Sequence, residues 1–63
     1  MTADQNADHA YQEAKLIQLL IRRYNLPKNS FEIPTLTQEI NEVEDLVRSY
    51  RMLKTVERLT ARA

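Results

Sequence analysis

The 63-residue chain contains no glycine, no cysteine and no tryptophan, and has only two prolines, one phenylalanine and one histidine. Without glycine, the phosphate-cradling Walker loop, the dinucleotide-binding loop and type I′ hairpin turns lose the residue they depend on at positive φ. Without cysteine, neither a disulfide nor a thiolate metal site can form, and His9 alone cannot build a zinc centre. Long apolar runs are missing too. The longest in the first half is Leu19, Leu20 and Ile21, far short of the ~20 residues that cross a bilayer. The first cation, Lys15, follows Asp4, Asp8 and Glu13, the reverse of a signal peptide's charge order. The expectation is a complete cytoplasmic protein that starts at Met1 and has no membrane association.

These absences bear on stability. A domain of about 60 residues buries only about 60% of the surface its unfolded chain exposes, and usually needs a staple. With disulfides and metals removed, self-association is the expected supplement.

Charge is present but polarised. Nine basic and nine acidic residues cancel overall. From Arg48 onward there are five cations (Arg48, Arg51, Lys54, Arg58 and Arg62) against one anion, Glu57, a net +4 that leaves −4 on the preceding segment. The cations recur at three- and four-residue intervals, which places them along one side of a helix.

Two stretches carry helical periodicity. In the first, Ala10, Ala14, Ile17, Ile21 and Tyr24 recur at four-three-four-three spacing, and Leu16, Leu19 and Leu20 widen the apolar arc to roughly 220° at ~100° per residue. One partner helix cannot cover such an arc. This helix is expected over 8–25, capped by Asp4, Asn6 or Asp8, with 1–7 fraying. At its other end Asn25 suits a left-handed position, Leu26 can fold back, and Pro27 stops the helix. A loop over 26–35 follows, with Phe31 and Ile33 as an apolar plug. Thr35 and Gln38 form a T-x-x-Q capping box. The second helix is expected over 36–61, with Leu36, Ile40, Val43, Val47 and Tyr50 in heptad rhythm. Leu46, Tyr50 and Leu53 extend this stripe on one flank, and Met52, Val56 and Leu59 cluster about 125° from that flank, on an overhang that the shorter first helix does not reach.

The pattern therefore predicts one all-α domain over 1–63. It is an antiparallel two-helix hairpin that dimerises into a four-helix bundle through Leu16, Ile17, Leu20, Ile21, Ile40, Val43 and Val47. The functional expectation is a non-enzymatic adaptor, chaperone or regulator, with no catalytic residue, cofactor or metal. It would dock a protein partner on Met52, Val56 and Leu59, flanked by Arg48, Arg51, Arg58 and Arg62. The alternative is a dimeric nucleic-acid-binding regulator that grips phosphate with the basic ridge. A sequence pI near 6.6 weighs against it. His9 and Glu13, spaced i, i+4 as metal ligands or an acid-base couple could be, are read as an exposed pair at a frayed helix start.

Overall fold

A computed structural model describes residues 1–61. Two helices, α1 (Ala3–Asn25) and α2 (Ile33–Ala61), form an antiparallel hairpin, and all regular structure among the described residues is helical. The molecule is a rod of 51 × 17 × 14 Å. No described helix is long and apolar enough to cross a membrane.

Helix α1 starts earlier than periodicity suggests. Thr2 is its N-cap: the Thr2 hydroxyl accepts from the Gln5 amide at 3.2 Å, and Gln5 Oε1 accepts from the Thr2 amide at 2.9 Å. This reciprocal box satisfies two of the donors that a helix start leaves unpaired. Residues 3–7 are therefore helical rather than frayed. The other end also differs from expectation. Leu26, the C-cap, is extended at φ −79° and ψ 147°, its amide bonds the Arg23 carbonyl at 3.3 Å, and no described residue has positive φ. Pro27 explains this, since the residue before a proline is pushed out of the helical region and into extended geometry.

The connection is shorter than expected, running from Leu26 to Glu32. Ser30 Oγ accepts from the Glu32 amide, and the Glu32 carbonyl accepts from the Leu36 amide at 2.9 Å. Helix α2 thus begins at Ile33, three residues before the expected start. Pro34 fits in the first turn because the N–H it lacks would have had no intrahelical partner there. The Thr35–Gln38 motif lies inside the helix. Phe31 is 90% exposed and plugs nothing, while Ile33 is half-buried.

Leu19, Leu36, Ile40, Val43 and Val47 form the core, with Leu16 and Leu26 packed against it. This apolar cluster occupies the half of the seam nearest the loop. Toward the chain termini the seam turns polar. There the Met1 amino group meets the Glu57 carboxylate, so α1 accompanies α2 as far as that position. The expected overhang shrinks accordingly: Met52 and Val56 lie alongside α1, and they are exposed because of their azimuth.

Candidate interaction surfaces

The seven residues expected at an oligomer interface separate into two groups. Ile40, Val43 and Val47 are consumed by the hairpin's own core, and Leu16 is half-buried against it. Those four belong to the fold of a single chain. Ile17 and Ile21 are 58% and 56% exposed, and Leu20 is also exposed. The division follows from how α1 is turned. Its inward positions are Gln5, His9, Gln12, Leu16 and Leu19, which recur at four-three-four-three spacing and are all buried or half-buried. Its outward positions are Ala10, Ala14, Ile17, Ile21 and Tyr24, all exposed. One wide apolar arc in sequence is thus two seams in space, centred about 140° apart around the helix axis.

On α2, Met52, Val56 and Leu59 are all exposed, at i, i+4 and i+7. This spacing aligns them as a ridge. Arg48, Arg51 and Arg58 are exposed as well, and Arg62 lies outside the described residues. Two of the arginines have partners within the chain. Arg51 reaches Glu13 across the hairpin at 3.4 Å, and Arg48 lies 3.9 Å from Asp45. Arg48 and Arg51 border a shallow cleft with Leu16, Glu44 and Val47. A second cleft, near the loop, is lined by Arg22, Phe31, Glu32, Thr35, Leu36 and Glu39.

Sequence periodicity misses a third feature, the polar half of the helix–helix seam. His9 is only 5% exposed; it is a seam residue, not the frayed surface group expected. Its ring lies 5.5 Å from that of Tyr50, tilted by 35°. His9 Nε2 sits 2.9 Å from Glu13 Oε1, but out of line for a hydrogen bond, so the nitrogen is close to a carboxylate and still unbonded. Tyr50 donates to Asp8 Oδ2, and Gln12 donates to Asp8 Oδ1 at 3.3 Å. The bonds from Tyr50 and Gln12 hold the Asp8 carboxyl below its ordinary pKa. The same bond to Asp8, with desolvation and the carboxylate charge, pushes the Tyr50 phenol up. A histidine near two carboxylates and a phenol has the ingredients of acid-base chemistry. Here His9 is closed between two helices, where it packs against Tyr50. Among the described residues no three histidine or acidic side chains gather closely enough to hold a metal. The spacing Gln5, His9, Gln12, Leu16, Leu19 was visible in the sequence, but hydropathy discards a heptad whose first three members are polar.

Compared with known protein families, with curated proteins and with solved structures, the chain shows no match.

Proposed function

We propose that the protein is a non-enzymatic interaction module, a homodimer of helical hairpins that works in the cytoplasm as an adaptor, chaperone or regulator. The observation that supports this most is the imbalance of its apolar side chains. Among the described residues, five hydrophobic ones are buried in the core, while eleven large ones are exposed. Exposed apolar side chains lined up along a helix face are characteristic of surfaces that take a partner.

Two apolar surfaces have different parts in this reading. The outer face of α1 is used for self-association and gives a four-helix assembly of two hairpins. The ridge of Met52, Val56 and Leu59 receives a protein partner, with apolar anchors supplying affinity while Arg48 and Arg58 orient an acidic flank of that partner. Met52→Asp or Leu59→Asp should abolish partner capture while leaving helicity and subunit count intact. Partner binding that survives both substitutions would refute this role for the ridge.

The second reading, phosphate binding, draws on the exposed Arg48, Lys54 and Arg58. It predicts retention of DNA or RNA that falls steeply with salt; no retention at about 50 mM salt removes it.

A further inference from the structure

Between Ala3 and Tyr24, no charged residue falls within about 50° of the centre of α1's outer seam at ~100° per residue, although 29% of the chain is charged. The seam is also graded in size. Its N-terminal half offers Ala3, Asn6, Ala10 and Ala14, and its C-terminal half offers the bulkier Ile17, Ile21 and Tyr24, all exposed. The charges of α1 lie off this seam. Asp4, Asp8 and Glu13 lie in the first half of α1, whereas Lys15, Arg22 and Arg23 lie in the second.

From the size gradient on this uncharged face we propose that its occupant is a second copy of the same helix, running antiparallel, with the two-fold axis passing by Ile17. The proposal rests on the dimeric reading above and specifies its geometry. In this register Ile17 meets its own copy, Ala14 lies opposite the second copy's Ile21, and Ala10 lies opposite the second copy's Tyr24. On either side of the central Ile17 pair each bulky side chain faces a small one, which is how closely packed helices interdigitate. The two helix dipoles also oppose. A parallel pair would do the reverse: tyrosine against tyrosine and alanine against alanine, with the dipoles aligned.

The area is adequate. The exposed parts of Ile17, Leu20, Ile21, Tyr24 and the alanines amount to on the order of 600 Å² per copy, or about 1,200 Å² in total, the lower edge of the range for specific interfaces. The pairing also fixes the shape of the assembly. With the inner and outer seams about 140° apart on α1, the four helices lie in a shallow arc with both α2 helices outside. The two Met52–Leu59 ridges then lie at opposite ends, free for two partners.

Because the chain has no cysteine, introduced thiols report the register directly. Under mild oxidation or with a short bismaleimide, Ile17→Cys should crosslink to a covalent dimer. Ala10→Cys alone should not, since its copies stand about 21 Å apart along the axis, whereas Ala10→Cys with Tyr24→Cys should. A size swap gives an independent reading: Ala14→Ile should weaken dimerisation tenfold or more, and adding Ile21→Ala should restore it. Crosslinking of Ala10→Cys alone, or of Met52→Cys but not Ile17→Cys, overturns this geometry while leaving the dimer standing. A single-chain mass for the unmodified protein removes both.

Discussion

Tyr50 donates a hydrogen bond to Asp8 across the hairpin, at 2.5 Å, from a position 42 residues further along the chain. It ties the polar end of the seam together where the apolar core has run out. The bond depends on two protonation states at once, phenol and carboxylate, and both ends leave a trace in pH. A carboxyl held low contributes stability above its unfolded pKa, and that contribution fades as pH falls through its folded value. A phenol held high contributes stability below its unfolded pKa, lost as pH rises toward the folded one. The difference in unfolding free energy between the natural protein and Tyr50→Phe should therefore be flat across neutral pH. It should narrow below about pH 4 and again above about pH 10. Urea titrations over that span check it; a difference independent of pH contradicts it.

His9 is a buried ring with an unbonded nitrogen beside a partly exposed carboxylate. Replacing a poorly satisfied buried polar group with an apolar one of similar size is commonly neutral or stabilising. His9→Leu should raise stability by on the order of 1 kcal/mol in denaturant unfolding. A loss of similar size would mean that the ring has a bonding role the observed geometry does not provide.

Most of the fold could be read from the sequence. The α2 seam of Leu36, Ile40, Val43 and Val47 is a clean heptad stripe, and all four residues are buried. The rotation of α1 could not be read, because its apolar arc covers more than half the helix and either side could have faced α2. The polar inner face of α1 settles the choice: across the seam Tyr50 bonds Asp8 and His9 packs against Tyr50, contacts that are invisible to hydropathy. Both helix starts were missed for local reasons. The Thr2–Gln5 box lies outside the apolar pattern, and the similar Thr35–Gln38 motif mimics a helix start one turn after the real one at Ile33 and Pro34. Of the candidate sites, the Met52–Val56–Leu59 ridge was legible as an exposed line. Periodicity suits Ile40, Val43 and Val47 equally to an interface between copies, because the sequence does not say which seam is spent within one chain.

The two isoleucine environments should separate in a mutation pair. Ile40→Ala leaves a cavity in a five-residue core and should cost about 2–5 kcal/mol, enough to unfold much of so small a protein. Ile21→Asp, at an exposed position, should leave helical hairpins in solution but dissociate the dimer, so that apparent stability loses its dependence on concentration. Circular dichroism melts at several concentrations distinguish the two. Equal unfolding by both substitutions would contradict the division between core and outer face.

The early start of α1 rests on Thr2. Thr2→Ala should cost about 1 kcal/mol and raise amide exchange at Gln5 and its neighbours first, leaving Leu19 protected. Unchanged exchange at Gln5 would show that the box does not hold the helix end.

The most direct measurement is molar mass by light scattering across a dilution series through low micromolar concentration. Two hairpins should travel together at twice the chain mass of 7.4 kDa, separating to single chains only on dilution or on substitution of Ile17 or Ile21. A species of one chain mass at every concentration, still helical and melting cooperatively, would contradict the claim that α1's outer face is built for a second copy.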